Sequence, residues 1–292
     1  MNIATWIHQN TADLHGKTVA ITGSTGGLGQ ALCHHLAALG ASLLLLDRNP
    51  TRSQALAASL EQAWDIRVRC IPVDLSDMAS VRKAADALLS EPPDIFIHNA
   101  GAYSIPRCTC STGYDNVFQI NFVSPYYLIR TLLPAMRQHG GHVVAVGSIA
   151  HRYSKTDPAD IDFSTRRAAS KVYGNAKRYL MFALPRLFTE ETSVSCSITH
   201  PGISFTGITA HYPPWLFAII KHPMKWIFMK PRRASLSILS GVFDRTREFE
   251  WIGPRLFDVW GLPKKKRLHG VSADEATRIA RVADEIYEKL QK

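Results

Sequence analysis

The chain has 292 residues, 46% of them apolar and 20% charged, and a formal net charge of +10. That balance excludes an intrinsically disordered chain, and the length is ample for one large α/β domain with a buried core. The positive charge admits nucleic acid, an anionic membrane surface or an anionic ligand as partner. No aromatic-interleaved basic motif or zinc-finger spacing favours nucleic acid, and the densest basic run, KKKR at 264–267, reads as a solvated loop.

The first residues, MNIATWIHQNTADLHGK, lack the basic-then-apolar pattern of a signal peptide, so a cytoplasmic location is expected. Lys17 to Thr22 (KTVAIT) reads as a buried strand, and LGQALCHHLAALG after it as a helix closed by Gly40. ASLLLLD is a second strand ending at Asp47, TRSQALAASLEQA a second helix, IRVRCIPVD a third strand and SDMASVRKAADALLS a third helix capped by Asp77 or Ser76. PDIFIHNAG is a fourth strand, followed by a long helical stretch from about Thr112 to Met136. GHVVAVGS is a fifth strand, a helix containing Tyr173 follows, and SVSCSITHPG is a further strand; SADEATRIARVADEIYEKLQK closes the chain as an amphipathic helix.

Short all-apolar strands alternating with helices predict an α/β fold, a doubly wound parallel sheet with helices on both faces in a single domain. The segment at about 202–231, rich in Trp, Phe, Ile and Met, is too short and interrupted to span a membrane. It reads as a lid over an apolar substrate pocket, as an interfacial patch touching membrane, or as core or subunit interface. The five cysteines (Cys33, Cys70, Cys108, Cys110, Cys196) are scattered and lack zinc spacing. Free thiols and no metal site are expected.

Three features carry chemistry. TGSTGGLG, at 22–29, sits between a predicted strand and a predicted helix, where glycines permit a tight turn and let backbone approach a pyrophosphate at the helix N-terminus. No Lys-Ser/Thr pair follows it, which argues against phosphoryl transfer. About 20 residues on, Asp47 ends the second strand; a carboxylate there accepts ribose hydroxyls and repels a 2′-phosphate, whereas Arg48 can receive one. NAD is therefore the expected cofactor and NADP the alternative. Tyr173 and Lys177 (YGNAK) form an i,i+4 pair sharing one helix face.

In this order the motifs resemble the short-chain dehydrogenase/reductase family. TGSTGGLG matches its TGxxxGxG loop; HNAG, from His98 to Gly101, its NNAG element with His for the first Asn; VGS its strand-end serine, with Gly147 for a usual Ser; YGNAK its YxxxK; and HPGISFT its PG-x-x-x-T segment. The Ser148-to-Tyr173 spacing and SIAHRY are most similar to the retinol-dehydrogenase-like branch. The resemblance implies an NAD(P)-dependent oxidoreductase interconverting a lipophilic alcohol and its aldehyde or ketone. Tyr173 is then the acid/base, Lys177 lowers its pKa and holds the nicotinamide ribose, Ser148 bonds the substrate oxygen, and Asn121 holds a relay water. The cofactor is expected along Thr22, Gly23, Ser24, Thr25, Gly27, Leu28 and Gly29, with Asp47, Arg48, Asp74 and Leu75 on the adenosine side. Asn99, Ala100 and Gly101 line the ribose, Tyr173 and Lys177 the nicotinamide end, and Pro201, Gly202, Ile203 and Thr206 wrap it. Gly174 and Ala176 are expected to let helix and cofactor approach. His151 and His200 are expected in supporting or surface positions. A homo-oligomer, dimer or tetramer, and peripheral membrane contact are also implied. The alternatives are an NADPH-dependent reductase of small hydrophobic ketones and, from another class, a non-catalytic NAD(P)-binding regulator or scaffold.

Overall fold

The computed structural model describes residues 2–189, 193–202 and 229–292. The described strands form one sheet of eight, in spatial order β3-β2-β1-β4-β5-β6-β7-β8. They are β1 (Thr18–Thr22), β2 (Ser42–Asp47), β3 (Val68–Pro72), β4 (Ile95–His98), β5 (His142–Val146), β6 (Ser195–Thr199), β7 (Glu250–Leu256) and β8 (Trp260–Arg267). All neighbours are parallel except β7 and β8. The strand order reverses between β1 and β4, so a crevice opens there at the carboxyl ends of the strands, the usual ligand position of such sheets.

Burial on both faces explains why β1, β2, β4 and β5 are apolar runs. Val19, Ile21, Leu43 and Leu45 pack on one face with Leu32 and Leu36 of α2 (Gly27–Ala38), Leu56 and Leu60 of α3 (Pro50–Ala63) and Leu239 near the C-terminus. Ala20, Leu44, Phe96 and Val143 face the other core, with α4 (Met78–Ser90) and aromatic residues of the following helices. Local signals close these elements: Gly40 follows α2 with φ +87°, Asn49 caps α3 with Pro50 at its start, and the Asp77 carboxylate accepts from Ala79 N at 2.9 Å.

The structure departs from the predicted elements in three places. The long helix starts at Asn116, where Asp115 caps it, as α5 (Asn116–Phe118), then runs through a π turn (Gln119–Val123) into α6 (Ser124–Arg137). An N-terminal helix, α1 (Ile3–Asn10), precedes the sheet. The KKKR run is not a loop: it belongs to β8, which pairs antiparallel along β7. Lysines suit this outer position because a charged edge resists pairing with other chains. α7 (Ala169–Ala183) carries Tyr173 and Lys177, and the chain continues through β6 to α8 (Pro231–Ala234), α9 (Leu236–Phe243), the β7–β8 hairpin and α10 (Ala273–Gln291). Among the described residues no helix is long and apolar enough to cross a membrane.

Candidate active site

The glycine loop is built by close contact. Gly23 has φ +70°, and a Cβ there would stand 2.9 Å from Ala100 Cα; a Cβ on Gly29 would stand 2.2 Å from Gly23 O. The first turn of α2 has no side-chain cap and no acidic residue. The nearest atom to a Cβ on Gly27 would be 3.9 Å away. Backbone N–H groups at this helix start are therefore free for an anion.

Thr22 fastens this loop to the HNAG segment. Its hydroxyl accepts from Asn99 N at 3.1 Å and Ala100 N at 3.0 Å, and lies 3.1 Å from His98 Nδ1. With both acceptor positions used, the hydroxyl donates to Nδ1, so the buried His98 carries its proton on Nε2. That replacement of the usual Asn is thereby accommodated, at the cost of an unpartnered Nε2. Asn99 Nδ2 donates to Thr22 O and Gly23 O, while Asn99 Oδ1 is buried without a partner.

Asp47 is buried beneath the loop. Its carboxylate receives the Ser24 hydroxyl, Thr25 N at 3.0 Å and Thr25 Oγ1 at 2.9 Å. Arg48, next in the chain, is exposed. Asp74 accepts from Ser76 N at 2.9 Å, and Leu75 O accepts from Ser124 Oγ at 2.6 Å, tying the end of β3 to α6.

The candidate catalytic residues converge. Ser148 follows β5, and its hydroxyl lies near enough to the Tyr173 phenol to favour the phenolate. Lys177, one turn beyond Tyr173, is 1% exposed, donates to Val146 O at 2.9 Å and lies 5.7 Å from the Tyr173 ring centroid. A Cβ on Gly101 would be 2.9 Å from Asn121 Oδ1 and 3.6 Å from Lys177 Nζ, so three motifs distant in sequence meet here. Asn121 sits in the π turn; its Nδ2 donates to Ala102 O and Val117 O. Pro201 and Gly202 follow β6, with Gly202 at φ +79°; Ile203 and Thr206 lie outside the described residues, as does most of the expected lid.

Burial dominates the electrostatics. It pushes the Tyr173 phenol up to about 12 despite the Ser148 hydrogen bond, and pulls Lys177 down to about 7. The expected lowering of Tyr173 by Lys177 is thus not the balance in this structure. Gly174 and Ala176 also have other work. A Cβ on Gly174 would stand 2.3 Å from Ala150 O, so it admits the turn after Ser148, and Ala176 faces the core.

Sequence reasoning missed several supports. Met181 fills the space left by Gly147: a Cβ there would stand 2.7 Å from its sulfur, which also receives Ser148 N at 3.4 Å. Spacing held that signal, since positions 173, 177 and 181 share one helix face. Tyr103 meets Tyr173 edge to face at 5.4 Å. His151 and His200 are both buried: His151 Nδ1 lies 2.6 Å from Ser148 O and its Nε2 2.9 Å from His269 O, whereas His200 stacks on Trp251 at 5.1 Å. Burial drops His200 to about 4. Arg178 donates to His151 O at 3.1 Å and pairs with Glu275 at 2.9 Å through two nitrogens, anchoring the catalytic helix to α10. Glu275→Ala is expected to cost about 2 kcal/mol in denaturant unfolding, because a buried guanidinium loses its counter-charge but keeps carbonyl acceptors; an unchanged midpoint would contradict that anchoring.

A parallel sheet with a bare glycine-rich helix start at its switch point, and a Ser–Tyr–Lys set beyond β5, defines the class of dinucleotide-binding Rossmann proteins. Comparison with known proteins narrows it. Residues 17–160 match the short chain dehydrogenase family model. The chain is 32% identical over 231 residues to dehydrogenase/reductase SDR family member 13 of Bos taurus, covering 76% of this chain and 60% of that protein's length. It is 28% identical over 239 residues to retinol dehydrogenase 14 of Mus musculus, covering 74% and 70%. A solved structure of an uncharacterized protein from Mycobacterium Paratuberculosis shares the fold, with a TM-score of 0.74, 24% identity and coverage of 97% and 96%. The chain belongs to the short-chain dehydrogenase/reductase family, in its retinol-dehydrogenase-like branch.

Proposed function

We propose that this protein is an NAD(P)-dependent oxidoreductase that interconverts a lipophilic alcohol and its aldehyde or ketone. The observation that carries the reading is the meeting of Ser148, Tyr173 and Lys177 beside Gly101 at the carboxyl edge of the sheet. The residues fit a dinucleotide. The uncapped start of α2 suits a pyrophosphate, and the unpartnered Asn99 Oδ1 suits a ribose hydroxyl. When bound, the nicotinamide supplies the hydride donor or acceptor.

The chain's own residues handle the proton. Ser148 donates a hydrogen bond to the substrate oxygen and stabilises charge developing there. Tyr173 takes the proton from an alcohol oxygen in oxidation and returns one to a carbonyl oxygen in reduction. A buried phenol at about 12 is a poor base at neutral pH, and a buried amine at about 7 is only partly charged. Each proton bound by Lys177 makes the neighbouring phenolate easier to form, so the two titrate as a coupled pair. Polar hydroxyls of a bound cofactor near Lys177 Nζ would favour its charged form and strengthen that coupling. In this reading Asn121, beside Gly101, takes the relay-water role that the family resemblance gives it.

The wall around Tyr173 supports an apolar substrate: Val117, Ala150, Phe163 and Val172 pack with it, and Tyr103 and Ile105 lean against the group. The relative named for retinol acts, by that name, on an apolar alcohol. The test is nicotinamide absorbance with NAD and NADP against retinoid, steroid and medium-chain alcohols, and in reverse with the matching carbonyls. Turnover supports the reading; cofactor binding without turnover in either direction rejects it.

Asp47 has a first duty to the loop, since Ser24 and Thr25 already occupy its carboxylate. Asp47→Ala is expected to weaken NAD and NADP alike, roughly tenfold, as about three hydrogen bonds worth ~0.5–1.5 kcal/mol each are lost to partial rearrangement. Titration calorimetry with both cofactors checks this, and a selective gain for NADP would make Asp47 the discriminator instead.

A further inference from the structure

The β7–β8 hairpin ends in apolar residues that the proposed chemistry does not use. Phe257 is 92% exposed, Leu256 47% and Trp260 40%. Phe257 and Asp258 have φ of +50° and +59°, the left-handed pair of a tight hairpin turn that Asn-Gly ordinarily fills. A bulky residue in that region is an outlier. An aromatic ring is therefore held in water on strained backbone.

The turn is tied down. The Asp258 carboxylate receives Arg152 Nη2 at 3.0 Å and the Lys266 ammonium, its carbonyl faces His200 Nε2 at 3.0 Å, and Val259 N donates to Leu256 O at 3.0 Å. Asp258, turned inward, fixes the conformation that turns Phe257 outward.

The surroundings are basic. Residues 251–267 hold Arg255, Lys264, Lys265, Lys266 and Arg267 against one carboxylate, Asp258, which is already paired. Arg255 and Lys264 are exposed, and no ion pair engages them among the described residues. The Arg233 guanidinium lies 4.9 Å from the Trp260 ring centroid. Edge protection accounts for the lysines of β8 but not for the aromatic tip. Because β7 runs parallel to β6, the tip projects from the same edge of the sheet as Ser148 and the glycine loop. Gly202, which follows β6, packs against Val259 and Pro254 of the hairpin.

We propose that the hairpin tip docks on an anionic lipid bilayer: Leu256, Phe257 and Trp260 enter the boundary between headgroups and acyl chains, while Arg255 and Lys264 meet lipid phosphates. Docking sets the carboxyl edge of the sheet at the lipid surface, where an apolar alcohol concentrates. The proposal stands apart from the reaction, because vesicle binding is measured without substrate or cofactor.

The test is co-sedimentation of the full chain with vesicles of phosphatidylcholine plus phosphatidylserine, and with phosphatidylcholine alone. Binding is expected on the mixed vesicles and should weaken with salt. Phe257→Asn is expected to lower the partition coefficient about tenfold, while thermal stability holds or rises, because asparagine suits the left-handed turn. Arg255→Glu combined with Lys264→Glu should lower it by more than about tenfold on anionic vesicles. Wild-type protein that ignores both vesicles, or variants that partition as the wild type does, would overturn the proposal. So would Phe257→Asn melting well below the wild type, which would make the ring a packing residue. A wild-type dimer in light scattering that Phe257→Asn dissociates, with vesicle binding unaltered, would assign the tip to a second copy and overturn it equally.

Discussion

Tyr173→Phe is expected to lower kcat by roughly 10³-fold, about 4 kcal/mol of transition-state stabilisation, and to leave folding and cofactor affinity nearly unchanged. The reasoning is local. The ring is held by Val117, Ala150, Phe163 and Val172 and by the edge of Tyr103, contacts that phenylalanine retains. The hydroxyl interacts with Ser148, whose Oγ keeps its contact with Ala150 N when the phenol oxygen is gone. Removing the oxygen therefore deletes a proton carrier and little else. Single-turnover nicotinamide absorbance, with cofactor affinity measured in parallel, separates the two effects. A variant that keeps turnover within tenfold of the wild type would remove Tyr173 from the acid/base role, and a variant that loses cofactor binding would make it a structural support of the site.

The sheet was legible because four of its strands, β1, β2, β4 and β5, are short apolar runs with polar or glycine punctuation, a pattern that burial on both faces produces. The hairpin of β7 and β8 was not. The KKKR run reads as a solvated loop, and Gly253, Pro254 and Pro263 interrupt any strand pattern, yet an outer antiparallel pair tolerates prolines and charge where a central strand does not. The π turn at 119–123 leaves no compositional trace, since it differs from an α-helix only in the hydrogen-bond step. The same division runs through the site. The Tyr173/Lys177 pair is legible because i,i+4 spacing dictates a shared face. The engagement of Asp47 by Ser24 and Thr25 is not, because it depends on how deeply the loop sits against β2. Nor is the downward pull on Lys177, which belongs to burial that only the packed core creates.

Burial of Lys177 has a thermodynamic signature. An unfolded lysine titrates near ~10.4, and the folded one near about 7, so the cation is penalised in the folded state. Below the folded value both states hold the proton and the full penalty, about 5 kcal/mol, applies. Between the two values the unfolded chain binds the extra proton, so wild-type stability rises with pH; above ~10.4 neither state is charged and the penalty is gone. Lys177→Met keeps a long apolar stem, removes the cation and gives up the hydrogen bond to Val146 O, worth about 1 kcal/mol. The variant should therefore be about 4 kcal/mol more stable than the wild type near neutral pH, by the difference of these two magnitudes, and lose that advantage as pH approaches ~10. It should also be inactive. Denaturant unfolding of both proteins across this range decides the matter. Parallel stability curves would mean that Lys177 stays charged in the fold, held by an acceptor beyond Val146. A gap that closes with rising pH would show a group retained against the stability of the fold, which is the expected thermodynamic mark of a residue kept for chemistry.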